Sequence, residues 1–130
     1  MNSAHFLIDI GANLTHPELN KKIDVIVDNI KSANIEKVII TSSNTQDTKE
    51  ALEIISKYPD LFYTTVGFHP HNAKDYSSKD VAEIEAFLNN DKVLALGECG
   101  LDFYREYSSK EEQLFCFEQH LEIAKTIKKP

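Results

Sequence analysis

Four short apolar runs rich in β-branched and aromatic residues recur along the chain, and a segment with helical periodicity follows each of them. The runs are FLIDI from Phe6, VIIT from Val38, FYTTVGF from Phe62 and VLALGE from Val93. Strands that are apolar on both faces and alternate with amphipathic helices are typical of a parallel sheet covered by helices and joined by right-handed crossovers. The sequence therefore predicts an α/β fold built from four βα units.

The segments between the runs place apolar residues on one helical face, and capping residues precede three of them. The predicted stripes are Leu19, Ile23, Ile26, Val27 and Ile30; Ala51, Leu52, Ile55 and Tyr58; Val81, Ile84 and Leu88; and Leu114, Phe117, Leu121 and Ala124. The predicted capping pairs are Thr15 with Glu18, Ser77 with Asp80, and Ser109 with Glu112.

Two architectures contain four βα units: a small self-contained open sheet, and the first half of a (β/α)₈ barrel. A length of 130 residues suits one domain with its own core, whereas a complete barrel needs roughly 250 residues. The last helical segment runs into TIKKP, and a proline commonly follows a helix that leads to another element. Length favours the open sheet, and the sequence around Pro130 favours the half barrel.

The overall charge and the N-terminal sequence exclude several classes of protein. A formal net charge of −7 argues against an extended basic surface for nucleic acid, although metal ions could still supply positive charge at a local site. The first apolar run is interrupted at Asp9 and has no basic segment before it, so we expect neither a signal peptide nor a membrane span. Cys99 and Cys116 lack the Cys-x-x-Cys spacing, which suits free thiols in a cytoplasmic protein.

Polar residues cluster at the predicted C-terminal ends of the strands, which is the edge where parallel α/β folds build their sites. They are Asp9 and Asn13 after the first strand, Thr41, Ser42, Ser43 and Asn44 after the second, His69 and His71 after the third, and Glu98, Asp102 and Arg105 after the fourth.

Glu98 is the sharpest candidate because it follows the apolar run VLAL in the motif GECGLDFYR. Burying an unpaired carboxylate costs roughly several kcal/mol. A divalent cation such as Mg²⁺, Mn²⁺ or Zn²⁺ would offset that cost, because carboxylate oxygens are hard ligands. The alternative is a carboxylate that accepts hydrogen bonds from the backbone amides of the following CGLD turn.

Each of the remaining candidate site residues has two interpretations. His69 and His71 lie two residues apart in GFHPH, so they either reach one metal ion or phosphate together or are solvated loop histidines. Asp9 is either a metal ligand or a turn residue that bonds to the backbone near Gly11. Asp102 either orients a histidine or caps its loop, and Arg105 is either a phosphate ligand or a surface arginine.

The motifs DIGANLT, GFHPH and GECGLDFYR, taken together and in this order, resemble the TatD family of metal-dependent hydrolases, which are TIM-barrel deoxyribonucleases. The resemblance implies that residues 1–130 form the N-terminal portion of such a domain, apparently truncated. By the same resemblance, Glu98 matches a bridging metal ligand and His69 matches a histidine near the metal and the scissile phosphate. Asp9 matches the acidic residue that opens the first motif.

Two departures from the family pattern bear on activity. Many members have His-x-His where this chain has Gly11 and Asn13, which implies weaker metal binding or a different preferred ion. The later histidines and the late aspartate that complete the family's metal site have no counterpart in these 130 residues. We therefore expect this fragment alone to be inactive.

The leading hypothesis is a divalent-metal-dependent hydrolase that, in complete form, cleaves DNA phosphodiester bonds. Glu98, Asp9 and Asn13 would hold metal, His69 and Asp102 would act in catalysis, and His71 and Arg105 would contact substrate. One alternative is a non-catalytic half-barrel that binds a partner or pairs with a second half-barrel through an exposed sheet edge after the fourth strand. Another is a metal-dependent amidohydrolase acting on a small molecule.

Overall fold

The computed structural model describes residues 5–130 and contains one parallel sheet with its strands in the order β1-β2-β3-β4. The strands are β1 (Leu7–Ala12), β2 (Ile35–Ile40), β3 (Phe62–Val66) and β4 (Val93–Leu96). The helices are α1 (Pro17–Asn20), α2 (Ile23–Ser32), α3 (Thr45–Lys57), α4 (Asp80–Leu88) and α5 (Lys110–Thr126), with a 3₁₀ helix at Pro70–Asp75. The predicted α/β fold with four βα units is confirmed.

The core lies between the sheet and the helices that cover one of its faces. One buried cluster joins α2 and α3 to β2, with Val27, Ile40 and Ile54 among its members. A second cluster joins α4 and α5 to β3 and β4, and it includes Ile84 and Cys116. Both clusters exclude water from the helix side of the sheet, so burial of apolar surface there stabilises the fold.

The expectation that all four strands are buried on both faces is wrong for the described residues. β3 alternates between fully and partly buried side chains, and β1 is exposed, with Leu7 at 61% and Ile10 at 77% exposure. β1 has a neighbouring strand on one side only, and because consecutive residues from Leu7 to Gly11 are exposed, neither of its faces is covered within residues 5–130.

The first predicted helix is divided into α1 and α2. Pro17 begins α1, and His16 rather than Thr15 is its N-cap, with His16 Nδ1 accepting a hydrogen bond from Glu18 N at 3.3 Å. Thr15 is buried instead. Ser77 is not an N-cap either, since α4 begins at Asp80, although Asp80 Oδ2 accepts a hydrogen bond from Ser77 N at 2.7 Å.

The capping box predicted at the start of α5 is present, but the predicted apolar stripe of α5 is wrong by one position. Ser109 and Glu112 bond to each other's backbone N–H groups. The buried residues of α5 are Gln113, Cys116, His120 and Ile123, whereas Leu114 and Leu121 are exposed. Gln113 and His120 occupy the inner face because their side chains form hydrogen bonds with backbone groups of the loops that follow β3 and β4.

The segment after α5 returns to the open edge of β4. The carbonyl of Pro130 accepts a hydrogen bond from Leu96 N at 2.8 Å, and Lys129 Nζ donates to the carbonyl of Val93 at 2.7 Å. This contact occupies the position of a strand next to β4, as the half-barrel interpretation predicts. Within residues 5–130, no helix combines the length and the apolar character that crossing a bilayer requires.

Candidate functional site

The C-terminal ends of β3 and β4 bring the sequence-predicted polar residues together. Gly97 N, directly after β4, donates to the carbonyl of Val66 at 2.7 Å. Glu98 N then donates to the carbonyl of Ser42 at 3.0 Å, which fixes the Glu98 backbone above the end of β2. The peptide bond between Gly97 and Glu98 is cis.

Gly67 makes this close approach of two chain segments sterically feasible. A Cβ atom built on Gly67 would lie 2.6 Å from the carbonyl oxygen of Glu98 and 2.9 Å from the carbonyl carbon of Gly97. Both neighbours are backbone atoms, which cannot move aside as the end of a flexible side chain can. Position 67 therefore has to be glycine if Glu98 is to keep its place.

Glu98 itself is exposed, so the expectation of a buried carboxylate is wrong for the described residues. The face of the sheet above it has no covering layer here, and water reaches the carboxylate. In the CGLD turn, Asp102 N donates to Gln113 Oε1 at 2.7 Å, and directly after the turn Tyr104 N and Arg105 N donate to Asp102 Oδ1, both at 3.1 Å.

His69 and His71 lie at the start of the 3₁₀ helix. His69 is its N-cap, and His69 Nδ1 accepts a hydrogen bond from His71 N at 3.1 Å, so the ring proton resides on Nε2. The two imidazole rings meet edge to face, with their centroids 4.3 Å apart. The carbonyl of Ser43 holds this turn in place by accepting from His69 N at 3.0 Å.

Asp102 orients His71 as well as capping its own loop. Asp102 Oδ2 lies 2.7 Å from His71 Nε2. The hydrogen bond from His71, followed by those from the backbone N–H groups, lowers the pKa of Asp102 to about 2. The ionised carboxylate therefore accepts the Nε2 proton of His71 and leaves His71 Nδ1 as the second functional atom of that ring.

Opposing effects act on the pKa of His69, and burial is the largest of them. Partial burial lowers the pKa of His69, and the negative charge of Glu98 opposes that shift. In neutral His69, Nδ1 accepts the hydrogen bond from His71 N, and the Nε2–H group is left as a hydrogen-bond donor. Such a donor suits an anionic oxygen.

Asp9, in β1, and Asn13, directly after β1, make other contacts than the histidines and Asp102 do. Asp9 lies within β1 and not after it, and Asp9 Oδ1 accepts a hydrogen bond from Gly11 N at 2.9 Å, the backbone contact that the alternative to metal binding predicts. Asn13 lines a cavity of about 370 Å³ with His16, Ser43 and Asp47 among its walls. The metal-binding roles of Asp9 and Asn13 stay predictions.

The family model described as "TatD related DNase" matches residues 8–130, which is nearly the whole chain. The chain belongs to the TatD-related DNase family. The motifs DIGANLT, GFHPH and GECGLDFYR all lie within the matched residues. GFHPH and GECGLDFYR follow β3 and β4 at the C-terminal edge of the sheet.

Several TatD relatives are similar over most of this chain. The "3'-5' ssDNA/RNA exonuclease TatD" of Edwardsiella piscicida is 36% identical over 124 residues, covering 95% of this chain and 48% of that protein. The protein of the same name from Pectobacterium carotovorum is 37% identical over 118 residues, covering 91% of this chain and 45% of its own length. The chain thus spans about half the length of the curated relatives it matches.

The crystal structure of a TatD family hydrolase from Entamoeba histolytica superposes with a TM-score of 0.85 at 33% identity, covering 95% of this chain and 47% of that one. This coverage, together with the parallel order of four strands, identifies the fold as half of a TatD (β/α)₈ barrel.

The donor set fits part of a metal site. Carboxylate and amide oxygens such as those of Glu98, Asp9 and Asn13 are the ligands that Mg²⁺ and Mn²⁺ prefer. Within residues 5–130, however, no three histidine, cysteine, aspartate or glutamate side chains are grouped so that they could bind a metal ion together. Metal binding by Glu98, like that by Asp9 and Asn13, therefore stays a prediction.

Sequence reasoning missed the buried polar residues of α5 that hold this TatD site together. Gln113 Oε1 accepts from Asp102 N at 2.7 Å, and Gln113 Nε2 donates to the carbonyls of Asp102 and Ser108 at 3.1 and 2.9 Å. His120 Nε2 accepts from Phe68 N, next to His69, at 3.0 Å, and its Nδ1 faces the Cys116 carbonyl at 2.8 Å. Their spacing of seven residues, two helical turns, was the available signal.

Proposed function

We propose that the complete protein to which this chain contributes is a divalent-metal-dependent hydrolase that cleaves phosphodiester bonds of DNA from a strand end. The observation that carries the proposal is the convergence of Glu98, His69, His71 and Asp102 at one sheet edge of a TatD-family chain. The relatives named as single-stranded DNA and RNA exonucleases support the substrate class and the end-directed mode.

The metal would be held by Glu98 together with Asp9 and Asn13, and by ligands outside these residues. A divalent ion bound there, whether Mg²⁺, Mn²⁺ or Zn²⁺, would polarise the phosphoryl group and lower the pKa of water. Asn13 is a neutral donor, and Gly11 offers no side chain, so this donor set favours weaker binding than a set with histidines in both places.

The chain's own side chains would position the substrate and handle protons. His69 would donate its Nε2 proton in a hydrogen bond to a phosphate oxygen, since its Nδ1 is already engaged. His71, held at Nε2 by Asp102, would exchange a proton at Nδ1 with water or the phosphate. Arg105, whose Nε lies 3.8 Å from Asp102 Oδ2, would pair with a neighbouring phosphate.

The test uses single-stranded DNA labelled at one end and protein purified in the form that its source produces. We expect cleavage that requires a divalent metal, removes nucleotides from one end and falls by at least about a hundredfold in Glu98→Gln, because the substitution replaces a charged ligand with a neutral one. Glu53→Gln, an exposed glutamate on α3, is the matched control and should leave the rate unchanged. Equal cleavage by Glu98→Gln would overturn the assignment.

The cellular setting and assembly belong to the same proposal. We infer a cytoplasmic protein from the cysteine pattern, because Cys99 and Cys116 are free thiols. We also infer that residues 1–130 are one portion of a longer TatD domain, and that the exposed β1 edge is covered either by the rest of that domain or by a second copy of the chain.

A further inference from the structure

The loop that follows β4 presents aromatic side chains to solvent beside the site. Tyr104 is 94% exposed, Tyr107 is 62% exposed and Phe103 is 43% exposed. Large aromatic side chains gain free energy when they are removed from water, so a row of three in one loop marks a contact surface. We refer to residues 101–107 as the aromatic loop.

The aromatic loop is held in shape by hydrogen bonds to its backbone. Asp102 Oδ1 accepts from Tyr104 N and Arg105 N, and Gln113 accepts from Asp102 N on the opposite side. The exposure of Tyr104 therefore does not come from a loose loop. A side chain presented on a fixed backbone loses little entropy when it binds a partner.

The aromatic loop is continuous with the proposed active site. The ring of Tyr107 packs edge to face on His71 with the centroids 4.7 Å apart. Arg105 lies between the two tyrosines in sequence and approaches Asp102, the partner of His71. The aromatic loop is therefore within reach of a polymer whose phosphate occupies the site.

We propose that the aromatic loop, with Tyr104 as its main contact, stacks against unpaired bases of a single DNA strand whose phosphate lies at the His69 and His71 edge. This inference rests on the proposed function and specifies how the substrate is held. Every base has a π face, so stacking on tyrosine is tolerant of sequence, whereas the bases of a duplex are already stacked on each other. The acidic chain makes general attraction to phosphates weak, so stacking would add affinity that does not depend on the net charge.

The first experiment measures binding of a labelled oligothymidylate to the 130-residue chain in EDTA, so that cleavage does not interfere. We expect Tyr104→Ala to weaken binding roughly 5- to 150-fold, and Tyr104→Phe to bind nearly as well as the unaltered chain, because the ring is kept. Phe6→Ala is the matched control. Phe6 is 61% exposed and directly precedes the N-terminal end of β1, whereas the proposed active site lies at the C-terminal ends of the strands. An oligomer of abasic sugar phosphates should bind as weakly as thymidylate binds to Tyr104→Ala.

A spectroscopic readout separates stacking from other contacts. The chain contains no tryptophan, so Tyr104→Trp places a single indole in the aromatic loop. We expect thymidylate to quench its fluorescence and the abasic oligomer to leave it unchanged.

The inference is overturned if Tyr104→Ala binds thymidylate as well as the unaltered chain does, or if the unaltered chain binds the abasic oligomer as tightly as it binds thymidylate. It is also overturned if the chain binds no DNA, or if aromatic-loop variants change only self-association. Cleavage is measured separately with Glu98→Gln. Binding through Tyr104 without any cleavage would refute the proposed function alone, and Glu98-dependent cleavage that is unaffected by Tyr104→Ala would refute the stacking inference alone.

Discussion

Gly67 shows how one missing side chain positions the candidate metal ligand. The carbonyl of Glu98 occupies the space that a Cβ at position 67 would need, and the Glu98 N–H group is bonded to the Ser42 carbonyl on the other side. The position of Glu98 is therefore set by backbone contacts and not by its own exposed carboxylate.

Gly67→Ala should lower the free energy of unfolding by about 1–3 kcal/mol, because the added methyl group collides with fixed backbone atoms. Urea unfolding measures the change. Gly11→Ala is the control, since a Cβ there would lie at an ordinary 3.7 Å from Thr41 Cγ2. Equal stability of the two variants would contradict the close approach of residues 67 and 98.

The Asp102 to His71 contact predicts a dependence of stability on pH. The pKa of Asp102 in the folded chain is about 2, below its usual 3.8, so the folded state holds the carboxylate ionised more strongly than the unfolded state does. The resulting stabilisation is complete above about pH 4 and is lost as the pH falls towards 2. Unfolding measured over this range should show a shallower decline for Asp102→Asn than for the unaltered chain. Parallel curves would refute the contribution of this contact.

Helix α5 is the element that links the two loops of the site. Gln113 bonds to both ends of the segment from Asp102 to Ser108, and His120 bonds to Phe68 beside His69. Burial lowers the pKa of His120, which keeps the imidazole neutral and able to accept from Phe68 N. The helix therefore fixes the loops through polar contacts on its buried face.

Gln113→Leu should be destabilising although leucine is more apolar. It removes the Gln113 partner of Asp102 N and of the Asp102 and Ser108 carbonyls, and an unsatisfied buried group costs about 1–3 kcal/mol. Leu114→Ala, at the exposed neighbouring position, should cost less than about 1 kcal/mol. Thermal and urea unfolding compare the two. A stabilised Gln113→Leu variant would show that the side-chain bonds contribute nothing.

The order of the elements could be predicted from the sequence, whereas the register of α5 could not. β2 and β3 were found because apolar runs are local signals. The inner face of α5 was misassigned because the partners of Gln113 and His120 lie 11 and 52 residues away, and a periodicity argument does not include them.

The predicted strand ends indicated which polar residues would share an edge of the sheet. They did not predict that Glu98 would be exposed, whereas the alternative to metal binding for Asp9 did anticipate its hydrogen bond to Gly11.

At the scale of the whole molecule, the sheet has helices on one face and apolar side chains exposed along β1. Ile10 is 77% exposed and lies on a strand that has a neighbour on one side only. A free strand edge with apolar side chains favours pairing with another chain. The isolated 130-residue chain is therefore expected to associate.

Ile10→Lys should shift the chain towards monomer, because it places a charge on the exposed face of the edge strand. Sedimentation velocity over a range of concentrations measures the shift. Val25→Lys, which replaces an apolar residue of 62% exposure on α2, should leave the association unchanged. A chain that stays monomeric before any substitution would contradict this use of the β1 edge.

The most direct test of the metal site is the paramagnetic broadening of the chain's amide signals by Mn²⁺. If Glu98 holds the ion, broadening should concentrate at the C-terminal ends of the strands, around residues 67–69 and 97–99, and should disappear in Glu98→Gln but persist in Glu53→Gln. Broadening spread over the acidic surface, or unchanged in Glu98→Gln, would contradict the assignment of Glu98 as a metal ligand.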